Sequence, residues 1–91
     1  MRTYWMIIEF PKGTKKESIE AFGFNILADK NCKGTVVDDN KYYPNGINME
    51  LGPRLVFKVP DVAIRKYVQE KYDLVNVGQM RTFTFKENKE S

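Results

Sequence analysis

Alternation of apolar and polar residues at the start of the chain predicts a β-strand over residues 3–10. Aromatic and β-branched side chains dominate this stretch, and Pro11 and Gly13 punctuate its end. Successive side chains of a strand point to opposite faces. One face therefore carries Tyr4, Met6, Ile8 and Phe10, and the other carries Thr3, Trp5, Ile7 and Glu9. An apolar face opposite a mixed one is typical of a sheet that is buried on one side.

A helix is predicted next, and it begins at a capping box formed by Thr14 and Glu17. Apolar residues then recur at helical spacing, at Ile19, Phe22, Ile26 and Leu27. Gly23 leaves two alternatives, because a glycine inside a helix costs about 1 kcal/mol relative to alanine. Either the helix continues through Gly23, which we favour, or it ends at Phe22 and residues 24–28 form a short strand.

The middle of the chain reads as extended segments separated by turns. Residues 34–38 are predicted to form a strand, and residues 39–43 either continue it or turn. The turn signal Pro44-Asn45-Gly46 follows, and residues 47–51 are expected to form a short extended arm. Residues 54–59 are then predicted to form a strand whose apolar face carries Leu55, Phe57 and Val59.

The last part of the chain predicts one helix and one strand. Asp61 is placed to cap the helix, and Ala63, Ile64, Tyr67, Val68 and Lys71 or Tyr72 recur at helical spacing. Residues 79–85 read as the final strand, with Met80, Thr82 and Thr84 opposite Arg81, Phe83 and Phe85. Residues 1–86 are expected to form a single α+β domain, and residues 87–91 a polar C-terminal tail.

This order of elements predicts a ferredoxin-like βαββαβ fold, with an antiparallel four-stranded sheet and both helices on one of its faces. The core face would carry Tyr4, Met6, Ile8, Phe10, Leu55, Phe57, Val59, Phe83 and Phe85. The other face, called the open face here, would carry Trp5, Ile7, Glu9, Arg54, Val56, Lys58, Met80, Thr82 and Thr84.

Composition narrows the function classes. The chain has no histidine, which excludes histidine-based acid–base catalysis and histidine metal ligands. Its lone Cys32 cannot form an internal disulfide, which favours a reducing, cytoplasmic location, and its neighbouring lysines would lower the thiol pKa. The net charge is +3, and no apolar run approaches the roughly 20 residues that span a bilayer. We therefore expect no catalytic residue, no metal, no cofactor and no membrane partner.

Four carboxylates, at Glu9, Asp38, Asp39 and Glu50, provide the alternative of a magnesium site at a strand end. Residues 7–13, Ile-Ile-Glu-Phe-Pro-Lys-Gly, resemble the start of the small CRISPR-associated nucleases of ferredoxin-like fold. That family carries an aspartate at the end of the first strand, where this chain has Glu9. The resemblance implies a metal-dependent nuclease as one alternative function.

The open face supports two binding hypotheses. RNA-recognition domains of this fold stack bases on aromatic residues of the first and third strands. By that resemblance Trp5 would stack on single-stranded RNA, and Arg54, Lys58 and Arg81 would contact phosphates. The third strand, however, lacks the aromatic-glycine-aromatic pattern of that family.

The leading hypothesis is a small non-catalytic binding protein that occupies a protein partner or self-associates. An apolar centre with a polar rim is the usual anatomy of a protein interface. The expected contact residues are Trp5, Ile7, Arg54, Val56, Lys58, Met80, Tyr42 and Tyr43. By type and size the chain is similar to phage and mobile-element accessory proteins, including anti-CRISPR-like inhibitors of host defence. The alternative is that residues 42–51 fold over the open face and hide it.

Overall fold

The described part of the chain contains two helices and five strands. The computed structural model describes residues 3–32, 37–43, 52–78 and 80–86, with the backbone alone for 37–43. In chain order the elements are β1 (Tyr4–Glu9), α1 (Lys16–Ala28), β2 (Val37–Tyr43), β3 (Arg54–Val59), α2 (Val62–Lys71), β4 (Leu74–Asn76) and β5 (Thr82–Phe85).

The five strands form one mixed sheet in the order β2-β3-β1-β5-β4. The pairs β2–β3, β3–β1 and β4–β5 are antiparallel, whereas β1 and β5 run parallel. The α+β class is confirmed, but the ferredoxin-like strand arrangement requires a correction. Because β4 and β5 form an antiparallel hairpin, β5 runs parallel to β1. The predicted fold would have placed the final strand antiparallel to β1.

The missed element is β4, which has only three residues. So short a strand shows no measurable alternation in the sequence. Asp73, between α2 and β4, has a positive φ of 53°, and Gly78, between β4 and β5, has a φ of 68°. Both residues adopt the left-handed conformation that tight turns use. The hairpin therefore depends on local turn geometry more than on hydrophobic pattern.

One hydrophobic core lies between the sheet and the helices. Its buried members are Met6, Ile8, Phe10, Ile19, Ile26, Cys32, Leu55, Phe57, Val59, Val68, Leu74 and Phe83, with Tyr4 and Phe85 packed against them. The predicted core face of the sheet is therefore confirmed residue by residue. The opposite face is less uniform than predicted, because Glu9, Thr82 and Thr84 are also buried.

Helix α1 starts later than the capping box predicted. Lys15 occupies the N-cap position in extended conformation and makes no side-chain capping bond. The Thr14 hydroxyl instead donates to the Pro11 carbonyl oxygen at 2.6 Å, which closes the turn before the helix. The capping-box prediction is wrong. The longer helix is confirmed, since Gly23 lies inside α1 and is buried there.

Helix α2 begins as predicted, directly after β3. The Ile64 amide donates to the Asp61 carboxylate at 2.8 Å, so Asp61 is the N-cap. Residues 39–43 continue the second strand, which settles that alternative. The predicted arm at 47–51 and the tail at 87–91 lie outside the described residues.

Candidate functional site

The exposed part of the open face centres on Trp5 in β1. The antiparallel register places Trp5 opposite Lys58 and Ile7 opposite Val56. Trp5 is 39% exposed, and the other three side chains are half-buried. The Lys58 ammonium lies 4.5 Å from the centroid of the Trp5 ring, within cation–π distance. Four of the predicted contact residues are thus neighbours on this face.

The turn before β5 adds Met80 and Arg81 to the same end of the sheet. The Ile7 amide donates to the Arg81 carbonyl oxygen at 2.8 Å, which fixes the turn beside β1. Met80 is 77% exposed, a high value for a large apolar side chain. Large exposed apolar side chains that cluster, rather than lie singly, mark interaction surfaces. Met80 and Trp5 form such a cluster.

Helix α2 completes this end of the molecule because it starts where β3 ends. An Arg65 guanidinium nitrogen, Nη1, donates to the Trp5 carbonyl oxygen at 3.2 Å, and the Arg65 guanidinium lies 5.8 Å from the centroid of the Tyr4 ring. Between α2 and the turn before β5 lies an open depression of about 600 Å³, whose lining includes Trp5, Val62, Arg65, Met80 and Arg81.

A second depression, of about 250 Å³, continues the first along α2. It shares Val62, Arg65 and Met80 with the larger one and adds Lys66, Gln69 and Asn76. We call the two together the α2 groove. Its described lining contains three cationic side chains and no aspartate or glutamate. Positive charge and exposed apolar surface therefore occur side by side in one concave site.

The sequence prediction missed the α2 side of this groove. Val62, Arg65 and Gln69 recur at intervals of three and four, which places them along one side of a helix. That spacing was visible in the sequence. It predicted no site, because nothing showed that the turn before β5 would lie opposite this side of α2.

Of the eight predicted contact residues, Trp5 and Met80 line the α2 groove. Ile7, Val56 and Lys58 lie beside Trp5 on the open face, and the remaining three lie farther away. Arg54 pairs with Glu9, four residues along β3 from Lys58, a separation of about 13 Å at the usual strand rise. Tyr42 and Tyr43 pair with Leu55 and Arg54 through the backbone of β2, and their side chains lie outside the described structure. The structure therefore divides the predicted surface into two parts, one around Trp5 and one around Arg54.

The backbone register also separates the carboxylates considered for magnesium. Glu9 is 1% exposed and lies level with Arg54 and Tyr43. Asp38 and Asp39 follow Val37, whose partner is Lys58, so they lie toward the Trp5 end of the sheet. Strand β3 also stands between β2 and β1, which adds about 10 Å. Glu50 lies outside the described residues. The register therefore does not bring Glu9 to the same strand end as Asp38 and Asp39.

A second polar site joins the end of α1 to α2, and we call it the Asp29 cluster. It comprises Asp29, Asn31, Tyr67 and Lys71. The Tyr67 hydroxyl donates to the Asp29 carboxylate at 2.9 Å, and the backbone amide of Asn31 donates to it at 2.8 Å. The Lys71 ammonium forms an ion pair with the same carboxylate. The hydrogen bond from Lys71, followed by that from the Asn31 backbone, lowers the pKa of Asp29 to about 2.

Cys32 lies beside this cluster and is fully buried. Burial raises the pKa of its thiol, and the negative charge of Asp29 raises it further. The expectation that neighbouring lysines lower this pKa is therefore wrong. A buried thiol whose thiolate form is disfavoured behaves as a small core side chain.

Among the described residues, no helix has the length and apolarity needed to cross a membrane.

The chain was also compared with known proteins. Searches against models of protein families, against curated proteins and against solved structures found no match. Any statement about function therefore depends on the surfaces described above.

Proposed function

We propose that this chain is a small non-catalytic binding protein that acts by occupying a protein partner through the surface around Trp5 and the α2 groove. One observation carries the proposal: Trp5 and Met80, both exposed, line the same depression as the cationic side chains of Arg65 and Arg81. Tryptophan and arginine are the residues most enriched at the energetic centres of protein interfaces.

The arrangement around this centre supports the same proposal. Ile7 and Val56 extend the apolar surface from Trp5 along the open face, and Lys58 borders it. Apolar surface bordered by charge is the usual anatomy of an interface. We extend the proposal to the class of accessory inhibitor that phages and mobile elements encode, with a host defence protein as the partner. That extension rests on the type and size of the domain.

Affinity capture from the native cell, with and without nuclease treatment and read by mass spectrometry, tests the proposal. Met80→Glu is the informative variant, and Phe24→Glu is its matched control, because Phe24 on α1 is 73% exposed and also apolar. We expect Met80→Glu to abolish capture of a nuclease-resistant partner and Phe24→Glu to preserve it. Equal capture by both variants, or capture that nuclease removes, contradicts the proposal.

Self-association through the same surface is the other form of this proposal. Molar mass measured by light scattering separates the two forms. If the wild type has twice the monomer mass and Met80→Glu has the monomer mass, the chain self-associates through this surface. If both proteins have the monomer mass, the partner is a different chain.

RNA binding on the open face is the second candidate, because Trp5, Lys58 and Arg81 lie at one end of the sheet. It predicts that oligouridylate shifts the Trp5 fluorescence and that the affinity falls steeply with salt. Unchanged fluorescence or salt-insensitive binding would exclude it. Arg54, the fourth residue of this hypothesis, lies away from the other three and is expected to contribute little.

A further inference from the structure

The charge pattern of the α2 groove specifies the chemistry of its occupant. We infer that the groove binds an acidic segment of a partner protein in which carboxylates flank an apolar side chain. This inference rests on the proposed function, since it takes the partner to be a protein.

The first step is the sign of the charge. Arg65, Lys66 and Arg81 line the groove, and its described lining includes no acidic residue. Clefts with walls of one charge sign focus the electrostatic field and attract groups of the opposite sign. At physiological ionic strength such attraction acts over roughly 8 Å, so carboxylates that enter the groove are within its range. The complementary partner is therefore acidic.

The second step is the order of charge and apolar surface along the groove. Val62 and Met80 border both depressions, whereas Arg81 borders only the larger one and Lys66 only the smaller one. The apolar side chains thus lie between two cations, with Arg65 beside them. A segment that matches this order carries an apolar side chain between two acidic positions.

The third step separates a peptide from a nucleic acid, which also carries negative charge. Binding of single strands uses several aromatic side chains on which successive bases stack. The described lining holds three aromatic side chains, but Phe83 is buried and Tyr4 is half-buried with the Arg65 guanidinium 5.8 Å from its ring centroid. Trp5 is exposed, and the Lys58 ammonium lies over its ring. The exposed apolar surface of Val62 and Met80 is better matched by an aliphatic side chain than by a row of bases.

Fluorescence provides a direct test, because Trp5 is the only tryptophan in the chain. The probes are synthetic capped nonapeptides with glutamates flanking a central Leu, Ile, Met or Phe. The comparison probes carry lysine in place of glutamate, or serine at the centre, and oligouridylate of equal charge tests the nucleic-acid outcome. We expect saturable changes of Trp5 emission with acidic, apolar-centred peptides, and affinities at least about tenfold weaker with the comparison probes.

Charge reversal then locates the binding site. We expect Lys66→Glu/Arg81→Glu to weaken peptide binding at least about tenfold and to remove its salt dependence. The matched control is Lys12→Glu/Lys86→Glu, which makes the same change of net charge at exposed positions beyond the other ends of β1 and β5. Peptide binding that is absent, that prefers a serine centre, or that both double variants weaken equally would overturn the inference. So would tighter binding of oligouridylate.

This test fails separately from the test of the proposed function. If Met80→Glu abolishes capture of the native partner and no acidic peptide binds, the proposed function stands and the inferred chemistry is wrong. If Met80→Glu and Phe24→Glu capture the partner equally, the proposed function itself is wrong.

Discussion

Two sites on helix α2 combine cations with aromatic rings, and they differ in one component. In the Asp29 cluster, Lys71 lies 5.8 and 5.6 Å from the ring centroids of Tyr67 and Tyr72, and it also pairs with a buried carboxylate. In the α2 groove, Arg65 lies at a similar distance from Tyr4, but the described lining contains no carboxylate. The first site contains its own acid, whereas we propose that the second receives one from a partner protein.

This difference assigns different tasks to the two ends of α2. Interactions made entirely within the fold contribute to the free energy of unfolding, because unfolding breaks them. Cations at the rim of an open groove contribute little to folding, and their charge can increase affinity for an acidic partner. Variants in the Asp29 cluster should therefore change stability, and variants in the α2 groove should change binding.

The largest effect on stability is expected from Asp29→Ala. This substitution removes the acceptor that Lys71, Tyr67 and the Asn31 backbone amide share, so three hydrogen bonds to a charged carboxylate are lost together. We expect the melting temperature to fall by several degrees, measured by circular dichroism. Glu20→Ala, an exposed carboxylate on α1, is the control and should leave it nearly unchanged. Equal melting temperatures for the two variants would remove the distinction between the sites.

Acid should lower the stability of the chain by protonating Asp29, with a smaller effect than Asp29→Ala. The pKa of Asp29 is about 2 in the folded chain and lies near 3.8 without its partners. Because the folded value is the lower one, the contribution is fully present above about pH 4 and is lost as the pH falls through about 2. We expect urea titrations of the wild type to show this loss and those of Asp29→Asn to show less of it. Parallel pH profiles for the two proteins would contradict the role of Asp29.

A still smaller effect is expected from Tyr67→Phe. The Tyr67 hydroxyl donates to Asp29 and accepts a hydrogen bond from the Asn31 side chain at 3.0 Å. Its loss should lower the free energy of unfolding by about 1 kcal/mol in urea denaturation. Tyr72→Phe is the matched control, since the hydroxyl of Tyr72 makes no hydrogen bond to a described residue while its ring also lies beside Lys71. An equal or larger loss in the control would contradict a contribution from the hydrogen bonds of the Tyr67 hydroxyl.

The two sites also differ in how much of them the sequence revealed. Alternation in β1 and β3 predicted the core and placed Trp5, Ile7, Val56 and Lys58 on one face, because strand periodicity is local. The Asp29 cluster was not predicted, since it joins residues 38 and 42 positions apart and no local pattern encodes such a pair. Of the α2 groove, the sequence predicted Trp5 and Met80 as contact residues, but its helix side required the direction of β5.

The direction of β5 was the main error in the predicted fold. β5 runs parallel to β1 because the chain first forms the short strand β4 and then reverses at Gly78. A three-residue strand and a single turn glycine leave little pattern in the sequence. Long periodic segments are predictable because many side chains report the same face. A brief hairpin carries too few side chains for that, and here it decides which residues surround the groove.

The smallest effect on stability is expected in the α2 groove, from Lys66→Gln. Lys66 is exposed and lies among Arg65 and Arg81, so its removal sacrifices no core packing and relieves some repulsion between like charges. The free energy of unfolding should change by no more than about 0.5 kcal/mol. The same variant should measurably lower the affinity for the acidic peptides, because one of the two flanking positive charges is gone. A stability loss comparable to that of Tyr67→Phe would mean that the groove, like the Asp29 cluster, serves the fold, and the contrast between the two ends of α2 would not hold.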